Sequence, residues 1–299
     1  MWPGLSCRRV NRRRQPTPTQ IRRRRASALI VLAGIATAAV YLALTATVFA
    51  PADQHGARVV HLDIHSKAIG RELGVNVVVP AKTRPRGKRP LLVFLHGRSG
   101  SDGTFTNAEA VYESLEKLGR KAPIVAFPDG GDHSYWHDRK EGKWGRYVMR
   151  EVIPKVEERF GTDPHRAAIG GISMGGFGAY DLSLLHPHRF CAVGGHSPAL
   201  WFEGGETAPG AFDDAADFAR NDVVGVVRSN PDAFEGIRVW NDYGDEDPFR
   251  VYDEGFLDYL RQDGTDLSAH SWHGGHDSGY WDAHWGAYLR FYANALAGC

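Results

Sequence analysis

The chain has 299 residues, 42% hydrophobic and 24% charged, which excludes a disordered, collagen-like or disulfide-scaffold protein and allows a sizeable core. The formal charge of +1 hides a split: residues 1–52 hold nine Arg and no Lys, Asp or Glu, so of 36 basic residues 27 remain against 35 acidic ones, net −8, in the remainder. An acidic remainder offers no basic stripe, so nucleic acid is not an expected partner.

In chain order, residues 1–25 form an Arg-rich cytoplasmic segment ending in Arg22 to Arg25, and residues 26–50 follow without a charge. That length can span a bilayer, and the arginines on its amino side set the N-terminus in the cytoplasm and everything after Asp53 outside. Two fates stay open: a retained transmembrane anchor, with the membrane as partner, or a signal peptide cleaved near Ala50 or Ala52, which releases a secreted domain. Residues 53–299 are expected to form one folded domain.

Within it, short β-branched apolar runs alternate with helical patterns. Strands are expected at about 58–65, 74–79, 91–95, 123–127, 167–170, 190–193, 237–240 and 267–272, and helices at about 108–118, 147–160, 176–186, 251–262 and 281–296. Unbroken apolar strands alternating with helices imply an α/β fold, a mostly parallel sheet covered on both faces, with an antiparallel pair at the edge before residue 80. Ligands then bind beyond the carboxyl ends of the strands.

The third strand runs into His96-Gly97-Arg98-Ser99-Gly100, a turn able to offer the Arg98 backbone N–H to a developing oxyanion, with His96 as a buried support of the loop. The fifth runs into Gly171-Ile172-Ser173-Met174-Gly175, a G-x-S-x-G between strand and helix. That context forces a serine into a tight, exposed turn and makes Ser173 the candidate nucleophile, with the Met174 N–H as the second oxyanion donor. A glycine-rich turn with an idle surface serine is the plainer alternative. Cys191 lies in an apolar run and reads as a small core residue, with pairing to Cys299 left open.

A serine hydroxyl needs a base, and the base an orienting acid, in the order Ser, Asp or Glu, His. The acid is expected from the loop Trp240 to Phe249, where Asp242, Asp245, Glu246 and Asp247 compete: Asp247 is preferred because the following proline restricts its backbone, Asp245 is second, and the others read as a solvated acidic turn. The base comes from His273-Gly274-Gly275-His276, where His276 follows the Gly-Gly turn; His273 and His284 read as structural or rim residues. A strand-to-turn path would not converge His270, His273 and His276 on one ion, so no metal and no cofactor are expected. Trp136, Trp144, Trp201, Trp272 and Trp281 fall in or beside loops at this end, whereas Trp240 and Trp285 read as core.

Taken together, Phe94-Leu95-His96-Gly97, the elbow around Ser173, Ser197-Pro198-Ala199-Leu200-Trp201, Gly244 to Phe249 and Gly275-His276 with Tyr280-Trp281 resemble the putative-esterase family of α/β-hydrolases over about residues 60–297. That family includes S-formylglutathione hydrolases, feruloyl-type esterases and mycolyltransferases. The resemblance implies an α/β-hydrolase fold, Ser173, Asp247 and His276 as a triad, Arg98 and Met174 as backbone donors, and a lid insertion at 202–236 that carries specificity. The expected activity is extracytoplasmic hydrolysis of a carboxylic ester, on a small molecule or an envelope polysaccharide. The rivals are acyl transfer to an envelope sugar or lipid, and a membrane-tethered binding module without activity.

Overall fold

The computed structural model describes residues 52–299 apart from Gly87, together with Thr37. Thr37 aside, the expectations for residues 1–50 lie outside the described residues. Among the described residues no helix is long and apolar enough to cross a membrane.

The eight expected strands form one sheet: β1 (Arg58–Ser66), β2 (Arg71–Val79), β3 (Arg89–Leu95), β4 (Ile124–Pro128), β5 (Thr162–Ile172), β6 (Ala192–His196), β7 (Arg238–Gly244) and β8 (Leu267–Trp272). Their spatial order is β1-β2-β4-β3-β5-β6-β7-β8. β1 and β2 form the antiparallel edge pair, β2 joins β4 antiparallel, and every pairing from β4 through β3 to β8 is parallel.

Alternation along β3 shows why the sheet is buried on both sides. Leu91, Val93 and Leu95 point into one apolar layer, Leu92 and Phe94 into the other. The first layer holds α3 (Ile153–Phe160), α4 (Met174–Leu185) and α7 (Arg250–Gln262); the second holds α1 (Glu109–Leu118) and α8 (Ser278–Gly298). Helix α2 (Trp144–Tyr147) precedes α3, and α5 (Ala215–Arg220) and α6 (Val223–Ser229) lie between β6 and β7.

Three elements and one cysteine depart from expectation. The helix expected over 147–160 is α2, a π turn at Val148–Val152 and α3; Pro154 has no N–H to give to residue 150, and the widened turn absorbs the missing bond. β6 begins at Ala192 and continues through Gly194-Gly195, glycines that hide a strand in sequence but lie in register with Gly170-Gly171. β7 runs on through Asn241-Asp242, polar residues that are wholly buried. Cys191 is not a lone core thiol: it is half-buried and disulfide-bonded to Cys299, with Cα atoms 6.1 Å apart, which ties the start of β6 to the end of α8.

Candidate active site

Five consecutive sheet positions, β3, β5, β6, β7 and β8, end at the same edge, so the segments beginning at His96, Ser173, Ser197, Asp245 and His273 gather there. Ser173 links β5 directly to α4 with φ 56° and ψ −117°, a strained conformation for a residue with a side chain. The strain is held by neighbours. The Ser173 N–H donates to the His196 carbonyl at 3.0 Å, and the Ser173 carbonyl accepts from Phe177 and Ala199 at 3.1 Å each. Gly175 is required by close packing, because a Cβ there would stand 2.1 Å from the Leu95 carbonyl oxygen.

The serine hydroxyl and His276 Nε2 are 2.8 Å apart, and His276 Nδ1 and Asp247 Oδ2 are 2.9 Å apart. With Nδ1–H donating to the carboxylate, Nε2 is free to accept from the hydroxyl. Asp247 Oδ1 accepts from the Phe249 N–H at 2.8 Å. Burial opposes ionisation of Asp247, but the hydrogen bond and charge of His276, the Phe249 N–H and the nearby Ser197 hydroxyl outweigh it and hold the carboxyl below its ordinary range.

Asp245, the second sequence candidate, is turned elsewhere. It accepts from the Gly274 N–H at 3.0 Å and faces His273 at 3.2 Å, so it braces the loop that presents His276. The two loops meet at Gly244, where a Cβ would stand 2.1 Å from the Gly274 carbonyl oxygen. His284 Nδ1 approaches the Tyr280 carbonyl at 2.6 Å within α8, away from the serine.

Met174 opens α4, where first-turn N–H groups have no intrahelical acceptor, and the turn at Gly97-Arg98 lies against Ser173: a Cβ on Gly97 would come 3.4 Å from the serine Cβ. The loop is fixed from beneath by His96, 1% exposed. Its Nε2 accepts from the Gly130 N–H at 2.9 Å and its Nδ1–H donates to the Gly97 carbonyl at 2.7 Å. Burial lowers the His96 pKa and keeps the ring in the neutral form that this donor and acceptor pair needs. The backbone at Gly97-Arg98 and at Met174, the two expected donors, thus adjoins Ser173.

Above these groups is a cleft of about 640 Å³, walled by Phe105, Tyr135, Phe249, Trp281 and Trp285. The His276 ring sits 5.2 Å from both Phe249 and Trp281. Of the five tryptophans expected at this end, Trp281 alone is among the lining residues. Trp136, Trp144 and Trp201 are buried in packing and Trp272 stacks between His270 and His284, whereas Trp285 is core as expected, fully buried beneath the cleft it helps to line. The stretch 202–236 contributes only Ala208 to the lining, less than its position suggested. It is held to the loop after β4 by a buried pair, His137 with Asp217 at 3.1 Å, and a partly buried one, Arg139 with Asp213 at 3.2 Å.

Asp242, one of the acids that sequence reading set aside as a solvated turn, is instead a buried hub. Its carboxylate is wholly buried in β7 and accepts from His196 Nδ1 at 2.7 Å, Trp240 Nε1 at 2.6 Å, Tyr280 at 2.9 Å and Tyr288 at 3.0 Å. Its carbonyl accepts from the Ser197 N–H at 2.7 Å. The only signal in sequence was an aspartate inside an apolar strand, one of several acids in a row.

The family model described as "Putative esterase" matches residues 66–291. An esterase of Mycobacterium tuberculosis is 28% identical over 155 residues, covering 48% of this chain and 33% of that protein, so the chain matches well under two thirds of that relative's length. A diacylglycerol acyltransferase/mycolyltransferase of Mycobacterium leprae is 26% identical over 155 residues, 48% of this chain and 45% of its own. Among solved structures, a ferulic acid esterase superposes with a TM-score of 0.71 at 23% identity, over 81% of this chain and 98% of that one, a likeness of fold.

Proposed function

The chain belongs to the putative esterase family, and from that premise we propose that it is an extracytoplasmic serine hydrolase of carboxylic esters working through an acyl-enzyme on Ser173. The observation that carries this reading is the continuous relay from Asp247 through His276 to the Ser173 hydroxyl, at 2.9 and 2.8 Å, opening into an apolar-walled cleft.

In this mechanism the Ser173 oxygen attacks the ester carbonyl carbon while its proton passes to His276 Nε2. The Arg98 and Met174 N–H groups donate to the oxygen that gains the charge. Collapse of the tetrahedral adduct breaks the bond to the alcohol, which leaves with the proton from His276. Water then attacks the acyl-serine by the same proton path and releases the acid. Asp247 stays ionised and keeps Nδ1–H turned toward itself, consistent with its lowered pKa.

The Arg-rich head and uncharged run of residues 26–50 support export with retention at, or release from, the membrane. The Cys191–Cys299 disulfide supports an oxidising compartment. The relative named as an acyltransferase favours one second reading, in which a sugar or lipid hydroxyl replaces water as acceptor. A new ester product on adding such an acceptor would select that reading.

The test is turnover of p-nitrophenyl esters of increasing acyl length by the wild type and by Ser173→Ala. Wild-type turnover with a chain-length optimum, and loss of at least about 10³-fold in the variant with its fold intact, is expected. Undiminished turnover in Ser173→Ala would overturn the assignment.

A further inference from the structure

The side chain of Arg98 has no part in the chemistry given to its backbone N–H. It is exposed, lines the same cleft as Ser173, and among the described residues forms no ion pair with a carboxylate. It is also the one Lys or Arg among the described residues of the lining, whose larger walls are aromatic and whose one carboxyl, Asp282, has its pKa raised by burial. A guanidinium offers five donors in a planar fork, and one with no carboxylate partner at the rim of an apolar cleft keeps donors for an oxyanion.

A second donor stands beside it. The guanidinium lies next to the hydroxyl of Tyr135, a buried phenol also in the lining, and burial raises the Tyr135 pKa, so the group stays a protonated donor. Tyr135 is held in place with φ 51°, in a loop joined to the Arg98 loop by the Ser99 N–H on the Asp132 carbonyl at 2.9 Å and the Trp136 indole on the His96 carbonyl at 3.1 Å. The two donors are therefore presented by braced loops.

We propose that Arg98 and Tyr135 form an anion subsite, so that the preferred esters carry a carboxylate within reach of the Arg98 guanidinium when the scissile carbonyl lies against Ser173. The inference rests on the hydrolase reading and narrows its substrate class. The acidic balance of the domain, net −8 after residue 52, repels anions at long range, so a preference for them has to come from local contact.

Matched pairs of esters test this on each side of the scissile bond. On the acyl side, mono-p-nitrophenyl glutarate is compared with p-nitrophenyl pentanoate; on the alcohol side, 4-carboxyphenyl butanoate with 4-carbamoylphenyl butanoate. In at least one pair the wild type is expected to favour the anionic ester in kcat/KM by about three- to tenfold, the scale of a partly exposed ion pair. That ratio should fall toward one in Arg98→Gln, stay above one in Arg98→Lys, and drop about twofold in Tyr135→Phe. Because each ratio is taken within one variant, a disturbance of the Arg98 backbone N–H cancels. No anionic preference in either pair, or a preference that survives Arg98→Gln, overturns the subsite. Failure to turn over the neutral esters as well would instead overturn the hydrolase reading, and this inference with it.

Discussion

The His276 imidazole lies between one acceptor and one donor, and its orientation distinguishes two neighbouring acids. Asp247, buried and receiving the Phe249 N–H, faces Nδ1 at 2.9 Å, whereas Asp245 is spent on Gly274 and His273. Asp247→Asn should therefore lower kcat by about 10⁴-fold, because the amide favours the wrong tautomer of the ring. Asp245→Asn should cost no more than about tenfold, through a looser base loop. Equal losses in the two variants, measured by steady-state kinetics, would contradict this division of labour. That Ser173, His276 and Asp247 would meet was legible because glycine and proline spacing limits what the backbone can do around them. The brace formed by Asp245 was not, since it depends on which way a neighbouring carboxyl turns.

At the scale of elements, three segments that bear the site converge on one buried carboxylate. Asp242 in β7 binds the ring of His196, whose carbonyl holds the Ser173 N–H, and the hydroxyls of Tyr280 and Tyr288 on α8, the helix that follows His276. A buried charge with four donors is costly to break, and Asp242→Asn turns an amide NH₂ toward groups that all donate. We expect a loss of roughly 3–5 kcal/mol in denaturant unfolding for that variant, and about 1–2 kcal/mol for Tyr288→Phe, which removes a single donor. A neutral Asp242→Asn would contradict the convergence. The strands at the centre of the sheet were legible where they are unbroken aliphatic runs, as in β3. They were foreshortened where Gly194-Gly195 or Asn241-Asp242 continue them, because their places are fixed by partners distant in sequence.

For the whole molecule, the sheet separates two ends with different tasks. The site lies at the carboxyl ends of the strands, while the disulfide joins Cys191, just before β6, to Cys299, at the end of α8. Its closed loop of 108 residues restricts the unfolded chain, so Cys191→Ser should lower the unfolding free energy by about 2–5 kcal/mol, while ester turnover at room temperature stays near wild type. A large loss of turnover in the folded variant would contradict that separation of ends. The pairing could not be read from the sequence, since it depends on bringing residues at the end of a helix to the start of a strand. The α/β class was legible throughout, from the alternation of strand and helix patterns alone.

The proposed chemistry requires Ser173 to be a nucleophile activated by His276. Its most direct measurement is labelling of the protein from Asp53 onward with a fluorophosphonate, followed by peptide mapping of the adduct, with His276→Ala alongside. One adduct per molecule is expected, on Ser173, formed at least about 10²-fold more slowly in His276→Ala. An unlabelled wild type, an adduct on another residue, or labelling indifferent to His276 would contradict it.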